Sequence, residues 1–456
     1  MKIIVLNGSP KGDISVTMQY VAYIRKKFPG NNYETLNVAH EIKRLENDNA
    51  AFDAVLAKIQ SADLVLWAFP LYFLLVPAQY KRFIELVFER GAQDAFTGKY
   101  VAALSTSIHY ADMIAHDYIH AVSDDLEMNY LGGYSAEMHD LLDADERERL
   151  VKFASLTFEG VEKKIPVQRE NAPLVPSSLA YVPEKAQVTV QPGTKKIVIL
   201  TDDDGSSPNL TAMVHRLTTA FSGNAEVINL HDIDIRGPCL GCCKCAYDNT
   251  CVYTDGFVDF YKNRLVPADI LIFAGAVRDR YLSSTWKLFF DRSFFKGHTP
   301  GLGEKQIGFV IAGPLGQISS LKEGLVMWAD GGRCNPHFVT DEVSRSGDLD
   351  ALLDTLAGRL LKGAEAGYSP PHLFYAVGGH KIFRDNIYGG MRFIFQADYR
   401  YYREHGMFDF PQADIKTRCM NAIMIPLIRV EAVRKKVYNN MQFHMIEPFA
   451  PLFRED

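Results

Sequence analysis

Short apolar runs alternate with stretches of helical periodicity over the first part of the chain. Five apolar runs predict strands, near residues 2–7, 33–38, 63–69, 100–106 and 127–134. The stretches between them are amphipathic, with apolar residues at helical spacing. This alternation is typical of repeated β-α-β units, in which helices cover both faces of a parallel sheet. We therefore predict an α/β fold with a doubly wound parallel sheet for residues 1–165.

The same pattern starts again after a proline-rich stretch. Residues 166–194 contain five prolines and little helical period, which predicts an extended linker. Beyond it, residues 197–200 repeat residues 3–6 at a shift of 194, and Lys287 repeats Lys81 at a shift of 206. The chain is thus an internal duplication. The shift grows by 12, so the second copy, residues 195–366, carries a net insertion after its second strand.

A third region, residues 367–456, has no partner in the repeat. It is rich in aromatic and basic residues, and we predict a mainly helical extension. Three roles remain open for it: packing against the two copies, covering a bound ligand, or contacting a membrane surface. Packing is the favoured interpretation.

Composition and charge narrow the function classes. The 456 residues are 47% apolar and 23% charged, which is typical of a globular protein. The net charge of -6 argues against nucleic acid as a partner. The longest apolar run, residues 64–78, is interrupted by two prolines and is shorter than the ~20 residues of a bilayer span, so no integral membrane span is predicted. The first strand begins at the amino terminus without a signal-peptide pattern, which predicts a cytoplasmic protein.

The loop after the first strand is a candidate phosphate site. In an open α/β sheet, ligands bind at the carboxyl ends of the strands, and a phosphate is commonly held at the first helix N-terminus. Ser9, Ser15 and Thr17 offer hydroxyl groups there, and Gly8 and Gly12 allow close backbone approach. Neither the dinucleotide nor the nucleoside-triphosphate fingerprint follows the strand. An ordinary helix cap has the same composition, so the loop alone leaves both interpretations open.

A second motif follows the third strand and makes a family resemblance specific. Gly-Ser-Pro-Lys and Ser-x-Thr in residues 8–17 are followed by Pro-Leu-Tyr and Pro-Ala-Gln-x-Lys-x-Phe in residues 70–83. Together they resemble the NADPH-dependent FMN reductase and NAD(P)H:quinone oxidoreductase families of flavodoxin-like proteins. The resemblance covers most of residues 1–165 and, more loosely, residues 195–365. It implies two tandem flavodoxin-like domains and a flavin-dependent enzyme.

The resemblance also implies residues that hold FMN. The phosphate would be held by the first loop, at Ser9, Lys11, Ser15 and Thr17. The isoalloxazine ring would lie against the loop after the third strand, at Pro70, Leu71, Tyr72 and Phe73. The loop after the fourth strand would add contacts from Ser105, Thr106 and His109, although a loop histidine without a role is an equal alternative for His109. No catalytic acid or base is predicted, because the cofactor itself carries the electron transfer.

The second copy departs from this pattern. Its first loop contains Asp202, Asp203 and Asp204, and three carboxylates repel a phosphate. We therefore expect the better flavin site in the first copy.

The insertion in the second copy contains a cluster of cysteines. All seven cysteines follow residue 238, and Cys239, Cys242, Cys245 and Cys251 place four thiolates within thirteen residues. The spacing is similar to the run that wraps a [4Fe-4S] cluster in bacterial ferredoxins, and the loop resembles that of the iron-sulfur flavoproteins. Zinc and free or redox-active thiols are the alternatives. Cys243 is not expected to be a ligand, and Cys334 and Cys419 are interpreted as buried or incidental.

These observations predict an FMN-dependent oxidoreductase with a [4Fe-4S] cluster. It would pass electrons between NAD(P)H, or a ferredoxin-type donor, and a small acceptor such as a quinone or a flavin. An electron carrier without a small-molecule substrate and a non-catalytic binding protein are the alternatives. The two copies are expected to form a pseudo-dimer that brings the cysteines near the flavin, and a homodimer of the whole chain stays open. Cysteine and flavin loops at opposite ends of the molecule would contradict the pseudo-dimer.

Overall fold

The computed structural model describes residues 1–184, 189–297, 299 and 301–453. The first copy forms a parallel sheet of five strands, β1 Lys2–Asn7, β2 Asn32–Leu36, β3 Leu64–Pro70, β4 Tyr100–Ser107 and β5 Asn129–Glu137. The second copy forms another, of β6 Ile197–Thr201, β7 Glu226–Asn229, β8 Ile270–Ala276, β9 Gln306–Ala312 and β10 Asn335–Thr340. The spatial orders are β2-β1-β3-β4-β5 and β7-β6-β8-β9-β10, so both copies share the doubly wound order 2-1-3-4-5. The predicted α/β fold is confirmed.

Helices connect the strands and cover both faces of each sheet. The first copy contains six: α1 Val16–Lys27, α2 Ile42–Asn47, α3 Asn49–Gln60, α4 Ala78–Glu89, α5 Asp112–Asp125 and α6 Ala144–Glu162. Five belong to the second: α7 Pro208–Ala220, α8 Phe257–Phe260, α9 Ser284–Ser293, α10 Ser319–Gly331 and α11 Ser346–Ala366. The extension adds α12 Phe374–Tyr388, α13 Gln396–Glu404, α14 Ile415–Ile428, α15 Glu431–Asn439 and α16 Met441–Ile446. The predicted helical character of the extension is thus confirmed.

The central strands set the position of the loops at one edge of each sheet. Every residue of β3 and of β9 is buried, as expected for strands with helices on both faces. The parallel register pairs Asn7 with Ala68, Pro70 with Thr106 and Ser107 with Glu137. The loops that follow β1, β3, β4 and β5 therefore meet at a single carboxyl edge.

Helices α4 and α9 join the two copies in a reciprocal arrangement. The Asp291 carboxylate of α9 accepts a hydrogen bond of 2.8 Å from the backbone N–H of Ala78 at the start of α4. The Glu85 carboxylate of α4 accepts one of 2.6 Å from the backbone N–H of Ser284 at the start of α9. Each copy thereby caps the other's helix, which suits the partial positive charge at a helix N-terminus.

The same helices carry two buried ion pairs at equivalent positions of the repeat. Lys81 pairs with Glu85 in α4, and Lys287 pairs with Asp291 in α9, and each of the four side chains is almost entirely excluded from solvent. Burial lowers the pKa of Lys287 and raises that of Asp291, although each partner opposes the shift of the other. One continuous apolar core runs through both copies around these helices. The duplication therefore folds as an internal pseudo-dimer.

The described part of the proline-rich segment contacts both copies. Its described residues, 166–184 and 189–194, contain no helix or strand. Arg280 of the second copy binds Asp125 of the first at 2.6 Å and also donates to the Ala172 carbonyl of the segment. Further along, the buried Tyr181 donates to Asp350 at 2.6 Å. The segment is extended, as its composition predicts, but it packs along the surface because its polar groups find fixed partners there.

The chain divides into two compact units, Met1–Asp398 and Tyr399–Asp456. The first unit contains both sheets and α12, whose first turn is held by the buried Asp330 carboxylate through the N–H groups of Leu373 and Ala376. The second unit contains α14 to α16. No described helix is long and apolar enough to cross a membrane.

Candidate functional site

The loop between β1 and α1 is shaped by its own polar groups. The Asn7 side chain accepts from the Ser9 N–H at 3.0 Å, and the Ser9 hydroxyl accepts from the Lys11 N–H at 3.2 Å. Gly12 adopts a φ of 61°, a conformation that favours glycine. Ser15 caps α1 by accepting from the Met18 N–H. The helix-cap interpretation is therefore true of Ser15, and it is compatible with anion binding, because a capped helix N-terminus keeps further N–H donors.

A cavity of about 290 Å³ opens at the carboxyl edge of the first sheet. Seven of the residues proposed for FMN line it: Lys11, Ser15, Pro70, Leu71, Tyr72, Phe73 and Thr106. The start of α1 and the aromatic loop after β3 thus lie on the walls of one cavity. Its lining combines a cationic side chain with an apolar, aromatic surface, which suits a flat ring system that carries an anionic group.

Four other residues proposed for FMN lie outside the lining. The Thr17 hydroxyl is buried and bonds to the Thr106 hydroxyl at 2.6 Å. Ser105 is buried against His116, with an Oγ to Nε2 distance of 2.8 Å. His109 points to Asp112 at 3.0 Å and is about half exposed. The fourth, Ser9, is buried within the loop after β1, and burial raises the pKa of Tyr72 on the lining well above its usual value.

The lining also includes residues from the ends of β4 and β5 and the loops that follow them; the resemblance implies contacts from the loop after β4, whereas Tyr110 and the residues after β5 were not predicted. This part of the lining includes Ser107, Ile108, Tyr110, Glu137, Met138 and His139. The position of the loop after β5 could have been predicted, because a parallel strand next to β4 must end at the same edge of the sheet. Strand β5 was predicted to end at residue 134 but continues to Glu137, which brings its last residue to the cavity.

The cysteine loop of the second copy lies against this first-copy cavity. Cys239, Cys242, Cys243, Cys245 and Cys251 all contribute to its lining. Gly241 packs so closely on Tyr72 that a Cβ atom there would stand 2.4 Å from the ring Cζ. Gln79 of α4 donates to the Cys239 carbonyl at 3.3 Å. Cysteine and flavin loops therefore meet in one cavity, as the pseudo-dimer hypothesis requires.

Cysteine thiols are the type of ligand that a soft metal prefers, but these side chains are not arranged as a metal site. Burial raises the pKa values of Cys239 and Cys245 to about 12, and neighbouring thiols in the loop add to both shifts. All seven cysteines of the chain are free of disulfides. Among the described residues, no group of three or more histidines, cysteines or carboxylates is positioned to hold a metal ion. The arrangement thus offers thiol donors without a ready ligand geometry.

A buried arginine anchors the cysteine loop to α9. Arg292 donates to both carboxylate oxygens of Asp255 at 2.8 Å and to the Gly237 carbonyl at 2.8 Å, and its guanidinium lies 4.4 Å from the Tyr253 ring centroid. Burial alone raises the pKa of Asp255, but the hydrogen bonds from Arg292 and from the Arg236 N–H outweigh it and lower that pKa to about 2. Both ends of the loop are thereby tied to one side chain.

This pair predicts a pH dependence of stability. A carboxylate with a lowered pKa in the folded state stabilises the fold above its unfolded pKa and loses that contribution as pH falls through the folded value. From pH 5 down to about pH 2, we expect Asp255 to account for a loss of about 2 kcal/mol in the free energy of unfolding. Urea unfolding across this range measures it. Over the same pH range, the free energy of unfolding of the Asp255→Asn variant should fall by about 2 kcal/mol less than that of the parent protein. Asp259→Asn, at an exposed position, should show the same fall as the parent. Equal slopes for parent and Asp255→Asn would contradict the assignment.

The carboxyl-terminal extension closes another side of the cavity. Phe383, Asn386 and Ile387 of α12 contribute to the lining, and Met391 and Phe395 follow them. The Phe383 ring meets the Tyr110 ring edge to face at 5.6 Å. The extension therefore packs against the first copy and contributes to the lining of its cavity.

In the second copy, the charged side chains of the corresponding loop are paired with other side chains of the protein. Arg278 donates to Asp204 at 2.6 Å and to Ser206 at 2.8 Å. The buried Asp202 carboxylate bonds to the Ser283 hydroxyl, and burial raises its pKa. These contacts take up the donors that a phosphate needs, which agrees with the expectation that the better site is in the first copy.

Fold and site together define an α/β protein of the flavodoxin-like type with a ligand cavity at the switch point of its first sheet. Residues 1–140 match the model of the NADPH-dependent FMN reductase family, so the resemblance drawn for the first copy is confirmed. The match covers less than a third of the chain, and the likeness of the second copy to iron-sulfur flavoproteins stays a prediction.

Solved structures similar to this chain include three oxidoreductases. An NADH:FMN oxidoreductase in its apo form is 18% identical, with 35% of this chain and 89% of that chain covered and a TM-score of 0.30. The flavoenzyme NAD(P)H:(acceptor) oxidoreductase from Paracoccus denitrificans is 19% identical, with coverages of 36% and 97% and a TM-score of 0.31. An azoreductase from Bacillus anthracis str. Sterne is 16% identical, with coverages of 36% and 99% and a TM-score of 0.26. Curated proteins show no significant match to the chain.

Proposed function

We propose that this protein is an FMN-dependent oxidoreductase that transfers electrons from NAD(P)H to a small acceptor. The observation that carries the proposal is the first-copy cavity, where the N-terminus of α1 and the aromatic loop after β3 form facing parts of one lining. The family match over residues 1–140 supports the same class. Quinones, flavins and azo compounds are the acceptor classes that the proposal includes.

The cavity residues fit FMN in kind. Lys11 and the N–H groups at the start of α1 provide positive potential for the phosphate. Pro70, Leu71, Tyr72 and Phe73 provide an apolar surface for the ring. When bound, FMN supplies the two-electron chemistry.

The remaining lining residues control access and position. The Tyr72 ring packs closely against Gly241, so the cysteine loop fixes the aromatic wall on that side. Phe383 and Phe395 of the extension add apolar surface to the lining, which disfavours water there. Exclusion of water favours hydride transfer over side reactions.

A [4Fe-4S] cluster on Cys239, Cys242, Cys245 and Cys251 is the finer part of the proposal. Their spacing supports it, and so does the position of all four thiols on the lining of the same cavity. A ferredoxin-type donor is then an alternative source of electrons. Anaerobically purified protein is expected to contain about four iron and four sulfide per chain. Cys245→Ser should lower the iron content and Cys419→Ser, outside the loop, should not. Protein without iron and sulfide would exclude the cluster and leave thiols or zinc.

Anaerobic titration tests the main proposal. Protein reconstituted with FMN is mixed with NADH or NADPH and then with a soluble quinone. We expect the flavin absorbance to bleach with one equivalent of the nicotinamide and to return with the quinone. Bleaching by reduced ferredoxin alone would indicate an electron carrier. Failure to bind FMN at all would indicate a non-catalytic binding protein.

A further inference from the structure

The second compact unit contains a helix whose apolar side chains have no cover. The last two turns of α14, residues 422–428, consist of apolar residues only. Ile423, Ile425 and Leu427 are 63%, 54% and 44% exposed. A helix segment that is apolar on all sides is normally buried. These side chains are largely exposed, so they indicate a surface that something outside this unit completes.

The charges beside this helix restrict what completes it. Residues 415–446 contain six lysines and arginines and a single acidic residue, Glu431. Glu431 pairs with Lys435 at 2.7 Å, so most of the positive charge is uncompensated within the segment. A bilayer with anionic headgroups offers apolar depth and negative charge together.

A second copy of the chain is a poorer match. In a two-fold dimer the same patch meets itself, so the basic residues of one chain would approach those of the other. Like charges brought together in this way oppose association. Charge complementarity therefore favours lipid over self-association.

The length of α14 defines the mode of contact. Its 14 residues extend about 21 Å, which is shorter than the ~30 Å hydrocarbon core of a bilayer. A helix too short to span the bilayer can insert its apolar end into one leaflet while the basic residues beside it stay at the anionic headgroups. We propose that residues 415–446 bind the surface of an anionic lipid bilayer, with the apolar end of α14 inserted among the lipids. This inference is independent of the flavin chemistry.

Vesicle co-sedimentation of the full chain tests the proposal. Vesicles of phosphatidylcholine alone are compared with vesicles that also contain phosphatidylglycerol, at low and at raised salt. We expect binding to the anionic vesicles only, and weaker binding as salt rises. Ile423→Glu with Leu427→Glu should abolish binding, and Lys435→Gln with Lys436→Gln should weaken it by about tenfold or more.

Matched controls separate this surface from general stickiness. Leu142 and Leu156 of the first copy are 80% and 68% exposed, and Leu142→Glu with Leu156→Glu should leave binding unchanged. Lys26 and Lys27 are adjacent, exposed residues of α1, and their replacement by glutamine should have little effect on vesicle binding. Far-ultraviolet circular dichroism checks that each variant is folded. Vesicle binding that survives both sets of substitutions in residues 415–446 would overturn the proposal. Self-association that the Ile423 and Leu427 substitutions remove, without any vesicle binding by the parent, would overturn it in favour of a second copy.

Discussion

Replacing Ser15 with aspartate is expected to weaken FMN binding by about 100-fold while leaving the fold stable. Aspartate caps a helix as well as serine, so the bond to the Met18 N–H is retained. The new carboxylate would stand on the lining of the cavity beside the N-terminus of α1, where we place the phosphate. Two negative charges a few ångströms apart near a protein surface repel by a few kcal/mol, and 100-fold corresponds to about 2.7 kcal/mol. Fluorescence titration with FMN measures the change.

The second copy offers a matched control for this substitution. Ser207 caps α7 as Ser15 caps α1, through the N–H of Leu210. Ser207→Asp should therefore leave FMN affinity unchanged. Equal weakening by both substitutions would place the flavin elsewhere, and no effect of Ser15→Asp would remove α1 from the phosphate site.

Replacing Asp291 with asparagine is expected to lower the free energy of unfolding by about 3–5 kcal/mol. The substitution leaves the fully buried Lys287 without its counter-charge, and removing one partner of a buried pair has an effect of this size. It also weakens the cap that the second copy provides for α4. Chemical denaturation of the flavin-free protein measures the loss, since Asp291 also lies on the cavity lining.

A double substitution and a surface pair show whether burial is the cause. Lys287→Met combined with Asp291→Leu removes both charges together and should recover most of the stability that Asp291→Asn loses. Glu148 and Lys152 form an exposed pair in α6, at 64% and 70% exposure. Glu148→Gln should leave the free energy of unfolding almost unchanged. A small effect of Asp291→Asn would mean that Lys287 is neutral in the folded protein.

The sheets and the position of the loop between β1 and α1 could be predicted because they depend on local patterns. Apolar runs such as residues 64–70 mark buried strands, and a parallel sheet brings the loops after its strands to one edge. Within the loop after β4, the prediction mixed lining and supporting residues. Thr106 lines the cavity, whereas Ser105 points to His116 on the other face of the strand, because side chains alternate along β structure.

Other parts of the site depend on contacts distant in sequence. The placement of Phe383 against Tyr110 joins residues more than 270 positions apart, and no local periodicity encodes it. The hydrogen bond from the Ala78 N–H to the Asp291 carboxylate spans 213 positions, and local sequence patterns do not predict it either. The cysteine loop was recognisable by its spacing, but its position over the first-copy cavity follows from the packing of α4 on α9. Tertiary packing of this kind has no signature in a single sequence.

The reciprocal caps between α4 and α9 also bear on how the two halves diverged. In a dimer of identical chains, any substitution appears on both sides of the axis, so neither half can specialise alone. Joining the halves by residues 166–194 keeps each near its partner at high effective concentration and frees them to change separately. One half has a serine- and glycine-rich loop with Lys11 after its first strand, while the other has three carboxylates in that loop and an added stretch of cysteines. Covalent fusion thus allows the two halves of one framework to differ, as they do in the loop after the first strand and in the cysteine insertion.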